Sequence, residues 1–177
     1  ILGRREVLTG KAKFGIFGDG KELPQIVLSK FFKNGDFRSG YYRDQTILMS
    51  QGHLSVREIF SALYANTDNK LEPMSGGRQM GGHFVTRSID EEGNYLNLIN
   101  QKNHSSDISP VAGQIPRLIG LGQASKIYRK LKISNSEKFS KNGNEIAWGT
   151  IGNAATSEGI FFESFNAAGV IQAPIII

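Results

Sequence analysis

Apolar residues return at helical spacing in three stretches of the first half of the chain. Residues 20–32 predict a helix with its apolar side chains on one side, ended by the turn Asn34-Gly35-Asp36. A shorter helical run leads to Met49, and a capping box that begins at Ser55 opens a helix to about Ala65. The one-sided apolar residues of the first helix are Leu23, Ile26, Val27 and Phe31.

The middle of the chain has weaker periodicity. Residues 66–88 contain several glycines and a proline, and they predict a long loop. Residues 96–101 favour a short strand. Ser109-Pro110 predicts the start of a long helix, with serine as its cap and proline at its first position, running to about Leu131.

The last part of the chain predicts two parallel strands joined by a helix. Residues 146–151 and 173–177 are apolar runs typical of buried strands, and a helix is expected from near Ile160. The junction at residues 152–159 reads Gly-Asn-Ala-Ala-Thr-Ser-Glu-Gly. Its small residues let a ligand approach the main chain, and the N–H groups at a helix start favour an anion. A turn that binds no ligand is the alternative.

Length and composition narrow the class of protein. A chain of 177 residues and 19.4 kDa can bury one core, which predicts one domain over residues 1–177. Because it begins at Ile1 and ends inside an apolar run, we expect a partial domain, truncated at its C-terminal end. The absence of cysteine excludes disulfides and thiolate metal sites and favours a reducing, cytoplasmic compartment. No apolar stretch reaches the roughly 20 residues of a bilayer span, so no membrane association is expected.

The net charge of +5 permits nucleic-acid binding without requiring it. Six cations cluster at the end of the long predicted helix and in the loop after it, where they suit the helix dipole and solvent. A basic nucleic-acid-binding module is therefore the weaker interpretation. The six are Lys126, Arg129, Lys130, Lys132, Lys138 and Lys141.

The histidines lack the spacing of a zinc site. His53 and His104 are interpreted as surface or hydrogen-bonded polar residues. His83 is the best candidate for catalysis, because it follows a glycine-rich stretch that could close over a site. The chain has neither the Gly-x-Ser-x-Gly elbow nor a Gly-x-x-x-x-Gly-Lys-Ser/Thr phosphate loop, which argues against hydrolases and nucleoside triphosphatases.

Four separated segments stand out together: Tyr41-Tyr42-Arg43-Asp44-Gln45, Gly77-Arg78-Gln79-Met80 with His83, Ser109-Pro110-Val111-Ala112-Gly113-Gln114-Ile115-Pro116, and residues 152–159. Together they resemble one family, the alpha part of the thiamine-diphosphate-dependent decarboxylating component of 2-oxo acid dehydrogenase complexes. They occur in the family's order and span most of the chain, which makes the set more specific than any one motif.

The resemblance implies a thiamine-diphosphate-binding α/β fold, a parallel sheet flanked by helices, present as an incomplete N-terminal portion. It implies cofactor diphosphate contacts from Tyr42 and Arg43, and it places His83 in the active-site loop. Ser109 and Val111 would lie beneath the cofactor, with Val111 against the thiamine rings; ordinary core packing is the alternative for Val111. The remaining cofactor-binding candidates form the magnesium and diphosphate motif: Gly152, Asn153, Ala154, Ala155 and Glu158.

This chain departs from the family pattern in its magnesium motif. Asn153 stands where the family has a carboxylate on Mg²⁺, so the amide oxygen is the predicted metal ligand and metal affinity should fall. Potassium is not predicted, because Gly113 replaces the threonine that supports a monovalent ion in some members. Glu158 has two alternative roles, capping the helix or organising the cofactor pocket.

The resemblance further implies oxidative decarboxylation of a branched-chain or pyruvate-like 2-oxo acid and acyl transfer to a lipoyl group. The expected partners are a beta subunit or a fused beta half and a lipoyl-bearing acyltransferase, in a dimer of alpha/beta units. The beta part supplies the glutamate that activates the aminopyrimidine, and a second magnesium ligand would follow Ile177. Alternatives in the same class are transketolase-type and acetoin-dehydrogenase-type enzymes.

Overall fold

The computed structural model describes residues 1–79, 81 and 83–177, and it divides into two compact units. The first unit comprises Ile1–Phe31 and Tyr42–Phe84. The second comprises Phe32–Tyr41 and Val85–Ile177. No helix in the described residues is long and apolar enough to cross a membrane.

The first unit is helical. Its helices are α1 (Leu2–Leu8), α2 (Glu22–Phe31), α3 (Gln45–Ser50) and α4 (Val56–Leu63). The three helices predicted here are confirmed, including the reciprocal capping box at the start of α4, where the Ser55 hydroxyl accepts from the Glu58 N–H and the Glu58 carboxylate accepts from the Ser55 N–H. The short helix α1 was not predicted.

Helix α2 buries polar rather than apolar side chains. Gln25 and Ser29 are buried, whereas the apolar residues predicted on one side are exposed: Leu23, Ile26, Val27 and Phe31. Gln25 is buried because its amide completes the start of α3: Nε2 donates to the Arg43 carbonyl (3.0 Å), and Oε1 accepts from the N–H groups of Thr46 and Ile47 (3.1 and 3.2 Å). The bond to Thr46 satisfies a helix-start donor, and the bond to Ile47 supplements the one that its N–H donates to the Asp44 carbonyl (3.1 Å).

The second unit contains a four-stranded sheet in the order β2-β1-β3-β4, with every neighbouring pair parallel. The strands are β1 (Phe37–Ser39), β2 (Asn103–His104), β3 (Ala147–Gly149) and β4 (Ile175–Ile176). Helix α5 (Gln114–Lys130) packs on β1 and β3, and helix α6 (Gly159–Ile171) joins β3 to β4. The predicted α/β class and the parallel pairing of the last two strands are confirmed.

The strand predicted at residues 96–101 is wrong. Leu98–Asn100 is a short 3₁₀ helix, and the strand lies at Asn103–His104. Its residues are polar yet buried, because the Asn103 amide donates to the Leu98 carbonyl (2.8 Å) and the His104 ring binds Arg38. Hydrogen bonds therefore replace the apolar pattern that normally reveals a buried strand.

The predicted start of α5 at Ser109-Pro110 is also wrong, because the helix begins at Gln114. Ala112 has a φ of +59°, a left-handed conformation that no α-helix interior accommodates. The preceding residues form a turn in which the Gly113 N–H donates to the Pro110 carbonyl (3.1 Å). The side chain of Ala112 is fully buried, so this turn belongs to the core.

The core of the second unit joins the turn before α5 to the strands and the junction after β3. Its fully buried apolar residues form one cluster: Ala112, Ile115, Leu118, Ala147 and Ala155. Helix α5 has no side chain at Gly122, where a Cβ would lie 2.8 Å from the Ile175 Cγ2. Absence of that side chain lets α5 lie close against β4.

Candidate cofactor site

Gln114 ties the start of α5 to the carboxyl ends of two strands. Its carbonyl accepts the Ser39 hydroxyl at the end of β1 (2.7 Å), and its Nε2 donates to the Thr150 carbonyl just after β3 (2.7 Å). In open parallel sheets ligands bind at this edge. The Gln114 Oε1 atom is buried and has no hydrogen-bond partner among the described residues, so the edge retains one unused acceptor.

The junction after β3 leaves its main-chain donors available. Ala154–Ser157 is a short 3₁₀ helix, and α6 follows at Gly159. Within the described part of the chain, the N–H groups of Gly152, Asn153 and Ala154 donate to no acceptor. Ala155 is buried and holds the junction against the core, whereas Asn153 and Ala154 are exposed. This arrangement suits a phosphate.

The side chain of Asn153 is exposed and makes no hydrogen bond to another described residue. The Thr156 hydroxyl donates to the main-chain carbonyl of Asn153 (2.6 Å) and not to its side chain. The side-chain amide oxygen therefore remains available to a ligand. An amide oxygen is a hard ligand suited to Mg²⁺, although it carries no charge. No group of three or more His, Asp or Glu residues that could hold a metal occurs in the described ranges. A bound Mg²⁺ would therefore need most of its ligands from phosphate oxygens, water or another chain.

Glu158 occupies the N-cap position of α6, but its side chain makes no capping hydrogen bond. The capping role considered for it is therefore wrong. Its carboxylate is exposed. The alternative role, organising the cofactor pocket, stays a prediction.

Ser109 and Val111 lie in the turn that precedes α5, and both are exposed. Val111 is 47% exposed, so the core-packing alternative for this residue is wrong. Because the adjacent Ala112 shares a core cluster with Ala155, the structure brings this turn and the junction together. An exposed valine in this turn suits an apolar contact with a ligand.

A buried charged network at the same edge was missed by the sequence analysis. Arg38, which is 1% exposed, donates from Nε to the His104 Nδ1 (3.0 Å) and pairs with the Asp107 carboxylate (2.8 Å). The His104 ring stacks on Phe32 with ring centroids 5.2 Å apart. His104 is therefore a hydrogen-bonded polar residue, as interpreted. His104 and Asp107 lie 66 and 69 residues from Arg38 in sequence, so no local sequence pattern predicts the network.

Arg117 on α5 extends this network to the segment before Ser109. It donates to the Ser39 hydroxyl (2.9 Å), the Gly40 carbonyl (3.2 Å) and the Ser106 carbonyl (2.6 Å). Burial lowers the pKa of the Arg117 guanidinium, Arg38 lowers it further, and Asp107 opposes both effects. These bonds fix the segment leading to Ser109 against β1.

Tyr42 and Arg43 lie in the first unit, in the turn before α3. The Arg43 guanidinium lies over the Tyr42 ring, 5.1 Å from its centroid. The Tyr42 carbonyl accepts from the Gln45 Nε2 (2.6 Å), which fixes the turn. No carboxylate in the described residues forms an ion pair with Arg43, so its charge is available to an anionic ligand.

His83 also lies in the first unit, and its ring Nδ1 is 3.1 Å from the Gly81 carbonyl oxygen. Met80, from the matching motif, and Gly82 lie outside the described residues. Gly77–Gln79 and Gly81 line a cleft of about 320 Å³, whose cations are Lys11, Lys13 and Arg78. The catalytic role of His83 stays a prediction.

Three of the six clustered cations described above donate hydrogen bonds to main-chain carbonyls. Lys126 donates to the Ile171 carbonyl at the end of α6, Arg129 to Gly143, and Lys138 to Tyr95. These cations serve as hydrogen-bond donors within the fold, which weakens the interpretation of the cluster as a nucleic-acid surface.

The parallel sheet and its flanking helices define an α/β protein, and the strand-to-helix junction after β3 has main-chain donors without an acceptor in the described residues. The sequence matches the family described as Dehydrogenase E1 component over residues 6–177, and the chain belongs to that family.

Its relatives include alpha subunits of 2-oxoisovalerate dehydrogenases. The chain is 27% identical to that of Bacillus subtilis over 95% of this chain and 42% of that protein. It is 26% identical to the mitochondrial subunits of Caenorhabditis elegans and Homo sapiens, over 94% of this chain and 32% and 31% of those proteins. The chain therefore spans less than half the length of these relatives.

Proposed function

We propose that this chain contributes the alpha part of a thiamine-diphosphate-dependent 2-oxo acid dehydrogenase, which decarboxylates a 2-oxo acid oxidatively and passes the acyl group to a lipoyl arm. The open junction at Gly152–Ala154 carries the proposal, because this chain belongs to the E1 family and its main-chain donors there have no acceptor among the described residues. The names of its relatives favour a branched-chain 2-oxo acid over a pyruvate-like one.

The chain's own residues would hold the cofactor in three ways. The N–H groups of Gly152, Asn153 and Ala154 would donate to diphosphate oxygens, and Arg43 would neutralise part of their charge. Val111 would give the thiamine rings an apolar contact, with Ser109 supplying hydrogen bonds. Thiamine diphosphate supplies the electron sink that decarboxylation needs. His83 would hold or move a proton at the substrate's oxygen.

Magnesium would bind through the side-chain oxygen of Asn153 together with diphosphate oxygens. The exposed, uncommitted amide fits this role. Because Asn153 is neutral, the site lacks one charge that a carboxylate would supply, and Mg²⁺ should bind more weakly than at a carboxylate-bearing site.

The proposed partners follow from the same family. A beta subunit, or a beta half of the same polypeptide, would complete the active site, and a lipoyl-bearing acyltransferase would receive the acyl group. A dimer of alpha/beta units is the proposed assembly.

Calorimetric titration of the full-length parent, assembled with its beta part, tests the proposal. We expect thiamine diphosphate to bind only weakly without Mg²⁺ and more tightly with it. A decarboxylation assay with branched-chain and unbranched 2-oxo acids then tests the substrate class. Absence of magnesium-dependent binding would contradict the site, and binding without 2-oxo acid turnover would favour a transketolase-type or other thiamine enzyme.

A further inference from the structure

We propose that Glu72 is a positioning residue, whose buried carboxylate fixes the main chain at residues 74–77, immediately before Arg78 and the motif that contains His83. This inference rests on the proposed function, because it assigns His83 to the same 2-oxo acid chemistry. Glu72 lies outside every motif on which the family resemblance was based.

Both oxygens of the Glu72 carboxylate are bound by the segment that follows it. Oε1 accepts from the Met74 N–H (2.9 Å). Oε2 accepts from the Ser75 N–H (2.9 Å), the Ser75 hydroxyl (2.7 Å) and the Gly77 N–H (2.8 Å). Three of these four donors are main-chain groups, so the carboxylate determines the course of the backbone and does more than hold one side chain.

The charge of Glu72 has no cationic partner in the part of the chain that the structure describes. Its side chain is fully buried, and among the described residues no lysine, arginine or histidine forms an ion pair with it. Burial by itself raises the pKa of this carboxyl, but the bonds from Gly77, Ser75 and Met74 outweigh that effect and hold the pKa below its ordinary value. Glu72 is therefore ionised at neutral pH, with its charge balanced by peptide dipoles.

The backbone of Gly77 also packs closely against the chain at Ala65. Its φ is +74°, and a Cβ on it would lie 2.5 Å from the Ala65 carbonyl oxygen. The backbone at Gly77 is thus confined between the Glu72 carboxylate and the chain that follows α4. The segment that begins with Arg78 consequently leaves from a fixed point.

The sharpest variant is Glu72→Gln, which keeps the shape of the side chain but replaces one acceptor oxygen by an NH₂ donor. Because N–H groups donate to both oxygens of the carboxylate, an amide in its place must lose at least one acceptor bond. Glu91→Gln is the matched control, because it makes the same change at an exposed glutamate. Ser75→Ala is a milder variant that keeps the charge; it removes one of the four bonds to Glu72 and also the bond from the Gln79 N–H to the Ser75 hydroxyl (3.2 Å).

The first measurement is amide hydrogen exchange in the full-length parent assembled with its beta part. We expect the Gly77 amide to exchange about 10- to 100-fold faster in Glu72→Gln, the scale of a lost bond to a charged acceptor. Ser75→Ala should move it in the same direction by less and remains informative if Glu72→Gln does not fold. Unchanged exchange at Gly77 in the variant that folds would overturn the inference.

The second measurement separates positioning from simple destabilisation. In Glu72→Gln, kcat per cofactor-loaded site should fall about 10-fold or more, whereas the Kd of thiamine diphosphate should stay the same, since the diphosphate contacts lie elsewhere. Faster exchange with unchanged kcat would overturn the positioning role. If the wild-type assembly turns over no 2-oxo acid, the proposed function fails, and the exchange result alone still decides whether Glu72 fixes the segment.

Discussion

The segment at residues 72–77 and the junction at residues 150–159 are both irregular and rich in small residues, but they treat their main-chain donors in opposite ways. In the first, the N–H groups of Met74, Ser75 and Gly77 all donate to the carboxylate of Glu72. In the second, the N–H groups at Gly152–Ala154 donate to no acceptor in the described residues. The segment at residues 72–77 therefore supplies its own anion, the Glu72 carboxylate, whereas the junction at residues 150–159 could accept an anion from a ligand.

This difference indicates which irregular segment is structural and which receives a ligand. A single carboxylate is satisfied by four hydrogen-bond donors, as at Glu72, without a cation. A diphosphate carries several charges, so N–H groups at a helix start would not suffice and a cation and a metal ion must share the load. Arg43, which has no carboxylate partner among the described residues, and Asn153 are the groups proposed for those tasks.

The largest expected effect comes from placing a methyl group in the closed loop. Gly77→Ala must adopt a positive φ and bring its Cβ against the Ala65 carbonyl oxygen, so it should cost about 2–4 kcal/mol of stability. Gly159→Ala is the matched change in the open region, where a Cβ would meet nothing within 4 Å. It should alter stability by less than about 1 kcal/mol, because alanine is also the better helix former.

Thermal unfolding of the assembled parent measures both glycine variants. Comparable unfolding temperatures for Gly77→Ala and Gly159→Ala would show that the loop at residue 77 adjusts freely. That result would remove the contrast between a closed and an open segment.

A smaller effect is expected when the cation is removed. Arg43→Ala should weaken binding of thiamine diphosphate about 10- to 100-fold, the usual scale for a charge-assisted contact. Arg57→Ala, at an exposed position of α4, is the control and should bind normally. Titration calorimetry in the presence of Mg²⁺ measures both, and equal affinity in Arg43→Ala would exclude Arg43 from the site.

Elements governed by local signals were predictable from the sequence. The capping box at Ser55 and the apolar strands around the junction act within a few residues, and the structure confirms the helix α4 and the parallel pair β3 and β4. The strand β2 and the start of α5 were not predictable in this way. They depend on the Arg38–His104 bond across 66 residues and on a left-handed Ala112, neither of which leaves a periodic pattern.

The candidate site divides along the same line. The junction's small residues predicted an anion site, and the N–H groups of Gly152–Ala154 donate to no acceptor among the described residues. By contrast, the hydrogen bonds that residues 74–77 donate to Glu72 have no recognisable sequence motif, because most of the donors are backbone groups that any sequence possesses. The exposure of Val111 likewise depends on the tertiary fold, since an apolar residue beside a predicted helix is more often buried.

The smallest effect should come from restoring a charge at the open junction. Asn153→Asp adds a carboxylate beside the proposed diphosphate and Mg²⁺, and it should tighten magnesium-dependent cofactor binding about tenfold. Without Mg²⁺ the same change should weaken binding, because two anions then face each other. Asn166→Asp, which adds the same charge at an exposed position of α6, should leave both affinities unchanged. Calorimetric titrations with and without Mg²⁺ distinguish these outcomes. If Asn153→Asp binds the cofactor as tightly as the wild type in both conditions, residue 153 does not contact the metal, and the open junction holds its anion by main-chain donors alone.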